Sequence, residues 1–192
     1  MFRYLSGAEF ETVMERAGSF EGETGPAGRN AIAFIMGLHG LRSEEICGLC
    51  VRDLDIGLGA VYVNTIKKGV PRAVHVEARI MTWLRRFAAG YPDAAPLLRT
   101  CRGRPLLTRH IRRSWRRLSM RWLGRYVRFH ATRHTAAQRL SEATDSLLKV
   151  KKFLGHKTLT ATLIYAEDVG DVREYMPRLP QQEFQPTLFQ AG

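Results

Sequence analysis

A mainly α fold carrying one small antiparallel β-sheet, an α+β domain, is what this sequence predicts, and three observations carry that expectation. Apolar residues recur at helical spacing through most of the chain. Two short stretches alternate in β-branched and aromatic residues instead, and they flank a Lys-Lys-Gly turn. The chain has 192 residues, no internal repeat and no low-complexity segment, which suits one well-filled domain with little left over for a second.

Each element follows in order. Ser6 and Glu9 form a capping-box pattern, after which Phe10, Val13 and Met14 recur at helical spacing. Gly18 to Gly28, rich in Gly and acids, reads as a loop. Ala31 to Leu38 carries apolar residues at 32, 34, 35 and 38, so a largely buried helix ends near Gly40. Ser43 to Leu49 is a short helix that opens with two acids. Ala60 to Ile66 and Arg72 to Val76 are strands, and Lys67, Lys68 and Gly69 between them predict a β-hairpin with lysines at its tip. A helix is expected from Glu77 to about Ala89, followed by an irregular Pro-containing stretch to Pro105. Thr108 is the expected cap of a long helix reaching Leu123. Further helices are expected over Thr132–Glu142, Ser146–Leu154 and Leu159–Glu167, with Gly155 and Thr158 as punctuation. The stretch from Val172, with Pro177, Pro180 and Pro186, is expected to be extended after one short helix.

The charge balance narrows the partners. Thirty Lys and Arg stand against 18 acids, for a net charge of +12 and a pI near 10.3, which implies a polyanionic partner, nucleic acid above all. A membrane partner is not expected, because no run of about 18 apolar residues and no signal peptide occur. The three cysteines are too few for a disulfide framework. Cys47 and Cys50 form a C-x-x-C pair, but no second pair or nearby His ligands complete a tetrahedral metal site, and the pair sits in a helical stretch where small buried thiols are common. The protein is therefore expected to be cytoplasmic, reduced and without a metal or other cofactor.

Four segments can carry chemistry. In residues 109–125, Arg109, Arg112, Arg113, Arg116 and Arg117 fall at helical spacing among Ile111, Trp115, Leu118 and Trp122. One face packs while the other presents guanidinium groups, either as a solvated basic face or, in keeping with the net charge, to follow a phosphate backbone. His130-Ala131-Thr132-Arg133-His134 sets a proton carrier and a bidentate donor within one turn at a helix N-terminus, a favourable place for a phosphate. His156 follows Leu154-Gly155 at a turn, and Tyr165 comes nine residues later; taken alone, Tyr165 is an ordinary core aromatic with its hydroxyl at the surface. Arg42, at the junction of two helices in Gly40-Leu41-Arg42-Ser43-Glu44-Glu45-Ile46, is either a structural ion pair with Glu45 or a phosphate clamp that Glu45 holds in position.

Taken in order, these segments are far more specific than any one of them. Arg42 with its GLRSEEI context, Ile66-Lys67-Lys68-Gly69, His130-Ala131-Thr132-Arg133-His134-Thr135, and Leu154-Gly155-His156-Lys157-Thr158 leading to Ile164-Tyr165 resemble the signature of the tyrosine site-specific recombinases, also called the phage integrase family. The resemblance runs from about Leu5 to Asp168, and it implies the catalytic-domain fold of that family. It makes Arg42 and Arg133 an arginine clamp on the scissile phosphate, Lys67 the hairpin lysine, His130 and His156 the two histidine positions and Tyr165 the nucleophile, with Glu45 orienting the clamp from behind. Lys68 beside Lys67 is the competing lysine, and both it and the arginines at 109, 112, 113, 116 and 117 are expected to contact DNA. The family usually has Leu before its second arginine, where this chain has Thr132.

The implied function is cleavage and rejoining of DNA strands through a 3′-phosphotyrosyl intermediate, without metal or ATP, as integration, excision or inversion. The alternatives are relaxation of supercoils, as by the similar type IB topoisomerases, and a non-catalytic DNA-binding accessory protein. Expected partners are double-stranded DNA, further copies forming a tetramer on DNA, and accessory DNA-binding proteins. Residues 1–171 read as the catalytic domain. Residues 172–192, with Phe184, Leu188 and Phe189, are either a tail docking on a neighbouring subunit or a loose terminus. Most family members carry an extra N-terminal helical domain, so the chain is a fragment or resembles the single-domain recombinases that invert fimbrial promoter switches. Half a clamp predicts weak, strongly salt-dependent affinity, helped by neighbouring subunits or accessory proteins.

Overall fold

The computed structural model describes residues 4–64, 70–144 and 146–156, the side chain of Leu147 excepted. Helix α1 (Gly7–Gly18) starts where expected. The Ser6 N–H donates to the Glu9 carboxylate at 2.8 Å, and the Glu9 N–H donates back to Ser6 Oγ at 3.3 Å. Phe10, Val13 and Met14 face the core. Helix α2 (Pro26–Leu38) begins earlier than apolar spacing indicates, because Pro26 occupies its first turn and supplies a start signal that hydrophobic periodicity does not register. From Asn30 to Leu38 it is buried all round, which makes it the helix the rest of the fold packs against.

Gly40 closes the corner after α2 with φ of +82°, and a Cβ there would lie 2.7 Å from the Phe153 ring. The chain turns at once into α3 (Ser43–Gly48), passes through a single 3₁₀ turn (Val51–Asp53) and enters the sheet. Strands β1 (Leu54–Asp55), β2 (Ala60–Val63) and β3 (Arg72–His75) form an antiparallel sheet in the order β1-β2-β3, with Val61 opposite Val74 and Val63 opposite Arg72. The β2–β3 pair is the predicted hairpin. The two-residue β1 was not expected, since it is too short to show alternation.

Helix α4 (Ala78–Ala88) buries Ile80, Met81, Trp83, Leu84 and Phe87. The long basic helix α5 (Thr108–Leu123) is capped by Leu107, so Thr108 is its first helical residue rather than its cap. The Leu107 N–H donates to His110 Nδ1 at 3.3 Å, which partly serves that end. Helix α6 (His130–Thr144) and α7 (Leu147–Leu154, entered from Ser146) complete the described chain, and Gly155 ends α7 in the left-handed conformation, as expected.

Among the described residues two clusters make the core. In the larger, Phe34 of α2 meets Trp115 of α5 edge-on with ring centroids 5.0 Å apart, and Trp115 meets Phe129 at 6.0 Å. The smaller lies between α6 and α7, from Ala136, Ala137, Leu140, Val150, Phe153 and Leu154. Among the described residues no helix is long and apolar enough to cross a membrane. The expected helix over Leu159–Glu167, the stretch from Val172, and Lys67, Lys68 and Tyr165 all lie outside the described residues.

Candidate active site

The α2–α3 corner, the start of β3, the first turn of α6 and the end of α7 meet around one carboxylate. Glu45 sits in the first turn of α3, where it accepts the N–H of Arg42 at 2.7 Å, and this fixes its backbone relation to Arg42. Its Oε1 accepts Arg42 Nη1 at 2.9 Å and Arg72 Nη1 at 3.1 Å. Its Oε2 accepts Arg72 Nη2 at 3.0 Å and lies 3.6 Å from Arg133 Nη1. Three guanidinium groups therefore converge on one carboxylate. Glu45, Arg72 and Arg133 have side chains 5%, 6% and 4% exposed, so these charges are stable only because they compensate one another. Arg42 is the outermost, with 32% of its side chain exposed.

Arg133 is held by backbone as well. One guanidinium nitrogen donates to the Gly40 carbonyl and the other to the Leu154 carbonyl at 2.5 Å. The two helix ends that flank the site are thus tied to one side chain. Thr132, the departure from the family's usual Leu, is fully buried and its hydroxyl donates to the Phe129 carbonyl at 2.7 Å, so the polar atom is satisfied at the start of α6.

His130 opens α6 beside a cleft lined by Arg42, Ser43, Arg112 and Arg128. Its ring meets that of His134 edge-on, with centroids 4.7 Å apart. Desolvation in this crowded cleft, followed by the positive charge of His134, Arg133, Arg42 and Arg112, pushes the His130 imidazole down to about 4. His156 follows the Gly155 turn, and its backbone N–H donates to the Lys151 carbonyl at 3.1 Å. It is also pushed down to about 4, first by desolvation and then by Arg133, Arg42 and Arg72, against an opposing pull from Glu45. Burial alone would raise the Glu45 carboxyl, but the hydrogen bonds and charge of Arg72, the Arg42 N–H and the charge of Arg133 overcome it and leave Glu45 below the usual carboxylate range. Both imidazoles are consequently neutral at neutral pH in a site with a surplus of fixed positive charge.

Of the sequence-predicted residues, Arg42, Glu45, His130, Arg133 and His156 are brought together. Arg112 joins their edge, its Nη2 donating to Ser43 Oγ at 3.3 Å. Arg109, Arg113, Arg116 and Arg117 lie on the exposed face of α5. Lys67, Lys68 and Tyr165 are outside the described residues. Sequence reasoning missed Arg72 and His134. Arg72 shares its strand face with Val74 and Val76, both buried, so the alternation of β3 was the signal that its side chain points inward. His134 stands one helical turn after His130. At the Cys47–Cys50 pair, burial pushes the Cys47 thiol up to about 11, and among the described residues no three His, Cys, Asp or Glu side chains group as metal ligands.

Comparison with known proteins bears on the family and the fold. The chain is 30% identical over 129 residues to the tyrosine recombinase XerC of Azotobacter vinelandii, and 33% identical over 130 residues to that of Xylella fastidiosa. Each match takes in 66% of this chain, and 43% and 44% of those proteins, so the chain spans under half the length of the curated relatives it matches. Among solved structures, the XerA recombinase superposes with a TM-score of 0.70 at 22% identity, over 91% of this chain and 65% of that one. A XerH site-specific recombinase in a post-cleavage complex with its palindromic substrate superposes with a TM-score of 0.72 at 22% identity, over 90% and 51%. The phage integrase family is matched over residues 3–169, and to that family the chain belongs.

Proposed function

We propose that this chain is the catalytic domain of a site-specific DNA recombinase that breaks and rejoins strands through a covalent bond to Tyr165. The observation that carries this reading is the Arg42, Arg72, Arg133 and Glu45 cluster, in which three guanidiniums against one carboxylate leave a surplus of two positive charges beside two neutral imidazoles. A site so charged is stabilised by an anion. Attack on a phosphodiester creates a five-coordinate phosphorus with two negative charges on its non-bridging oxygens, which such a surplus matches. Arginines suit this work because they stay charged at any working pH and present a rigid fork.

Arg42 and Arg133 clamp the scissile phosphate, with Glu45 orienting them. The Tyr165 phenol oxygen attacks phosphorus and gives its proton to His130, which is neutral and so able to accept it. An arriving phosphate offsets the positive neighbours and raises His130 towards its ordinary range, which makes it a better base when substrate is present. As the bond to the 5′-oxygen breaks, Lys67 protonates that oxygen and His156 donates to a non-bridging oxygen. The products are a 3′-phosphotyrosine and a free 5′-hydroxyl. The covalent link conserves the phosphodiester, so the hydroxyl of another strand can reverse the step and complete an exchange.

Residues 1–171 are the catalytic domain in this reading, and residues 172–192 dock on a neighbouring copy as a tetramer assembles on two duplexes. Lys68 and the exposed arginines of α5 follow the DNA backbone. Relatives named as tyrosine recombinases, and a recombinase structure captured after cleavage, support the reading. The test is a covalent trap: the protein is incubated with a library of nicked duplexes, denatured, and probed for linked DNA beside a Tyr165→Phe control. An adduct that disappears in the control supports the reading and yields the target sequence. DNA binding without an adduct would leave a non-catalytic accessory role.

A further inference from the structure

No step of the reaction above is assigned to Arg72 beyond its charge, yet its side chain is nearly as buried as that of Arg133. Its fork is turned onto Glu45, with Nη1 on Oε1 at 3.1 Å and Nη2 on Oε2 at 3.0 Å, and Nη2 also reaches the Gly40 carbonyl at 3.3 Å. Nε is buried and makes no hydrogen bond among the described residues. Both Nη groups of Arg72 are thus spent on protein partners, chiefly on Glu45. What it does touch is informative. Glu45 is the carboxylate shared by Arg42 and Arg133, and the Gly40 carbonyl is shared with Arg133. A Cβ on Gly155 would lie 2.9 Å from Arg72 Nη1 and 2.9 Å from the Val70 carbonyl, while the Val70 N–H donates to the Gly155 carbonyl at 3.1 Å. The segment leading into β3, whose first residue Arg72 stands five after Lys67 in the chain, is therefore fastened to the turn that carries His156.

We propose that Arg72 is a positioning residue: it locks Glu45 in the orientation from which Glu45 holds Arg42 and Arg133, and it binds the strand after the lysine segment to the turn bearing His156. The consequence for catalysis rests on the recombinase reading above. Without Arg72, Glu45 keeps only Arg42 and the more distant Arg133, and it is free to tilt. A bidentate fork is needed, because a lysine supplies charge without fixing both carboxylate oxygens. His156 faces Arg133 from α6, Arg42 from the α2–α3 corner, Arg72 from β3 and Glu45 from α3, so removing Arg72 subtracts one positive neighbour and raises its titration.

The experiment compares Arg72→Gln, Arg72→Lys, Glu45→Gln and the double variant R72Q/E45Q in the full chain. Single-turnover cleavage is measured at saturating protein on the DNA captured by the covalent trap, affinity for the same DNA is measured separately, and His156 is titrated by NMR of labelled histidine. Arg72→Gln is expected to slow cleavage on the order of 100-fold, the size of a lost preorganised contact, while affinity changes by less than about threefold. Arg72→Lys should recover part of the rate, and R72Q/E45Q should be no slower than the slower single variant, because the two side chains act as one unit. Cleavage by Arg72→Gln within about threefold of the parent, or fully additive losses in the double variant, would overturn the proposal. If the parent chain forms no adduct, the recombinase reading fails and the titration still decides the positioning: a shift of His156 in Arg72→Lys, where the charge is kept and only the fork is lost, supports it, and an unmoved His156 there overturns it. Should Arg72→Gln not fold, Arg72→Lys carries the same comparison, with slowed cleavage at unchanged affinity expected and parental cleavage overturning it.

Discussion

Glu45 accepts from the backbone of Arg42 and from the side chains of Arg42 and Arg72, lies 3.6 Å from Arg133, and so organises groups that come from three separate stretches of chain. Burying such a cluster is tolerable only while every charge keeps its partner, since removal of one member of a buried ion pair strands the other. At this scale Gly155 is the clearest test. It stands at φ of +62°, and a methyl there would meet both Val70 and Arg72 at 2.9 Å. Gly155→Ala is expected to destabilise the protein by about 1–2 kcal/mol from the left-handed backbone alone, and to slow cleavage further by displacing Arg72. Thermal melting read beside the trap assay checks this, and a variant that melts and cleaves like the parent would contradict it. The Gly before His156 was legible in the sequence as a helix stop. That it also lies against Arg72 was not, because the two are 83 positions apart and neither periodicity nor polarity signals a contact at that range.

Helix α5 shows what an element adds to its residues. Ile111 and Trp115 bury one face against Phe34 and Phe129, and this orients the arginines on the other. Arg112 alone among the five predicted there reaches the site, through Ser43. Arg113 and Arg117 stand one turn apart on the exposed face. If that face follows a DNA backbone, Arg113→Ala and Arg117→Ala should each weaken binding at all sequences and lower the slope of log affinity against log salt by about one. Mobility shifts across a salt series measure the slope, and an unchanged slope would remove this face from the interface. The element boundaries followed the same logic as the helix itself: the cap at Ser6 and the glycine stop at Gly155 were read correctly, whereas Thr108 is a first helical residue rather than a cap, α2 starts at a proline and β1 is two residues long, beyond the reach of periodicity.

The molecule as a whole carries +12, and its two site histidines titrate far below the ordinary value for imidazole. A histidine whose folded pKa is depressed takes up its proton more readily in the unfolded chain. Stability is therefore full above about pH 6.5 and falls as pH drops towards 4, and the depressed Glu45 carboxyl adds to the loss below its ordinary 4.5. Melting temperature should decline across that window in free protein. It should decline less in the presence of DNA, since a bound phosphate supplies the charge that favours the protonated rings; melts from pH 7.5 to 4.5 with and without duplex provide the measurement, and a flat profile would contradict the neutral, desolvated imidazoles. On the same scale, mass measured against concentration on and off DNA separates a recombinase, which assembles, from a topoisomerase-like enzyme, which acts alone.

The sequence by itself determined the mainly α class, the single hairpin, most helix ends and the candidates Arg42, Glu45, His130, Arg133 and His156, because helix caps, strand alternation and ordered motifs are local properties of a chain. Only the tertiary structure decided that Arg72 belongs with them and that one carboxylate serves three arginines. Those contacts join Glu45 to a strand 27 residues away and Arg133 to a carbonyl 93 residues away. Their geometry is set by how α2, α3, β3, α6 and α7 pack around a shared core, and packing at that range leaves no period in the sequence to be read.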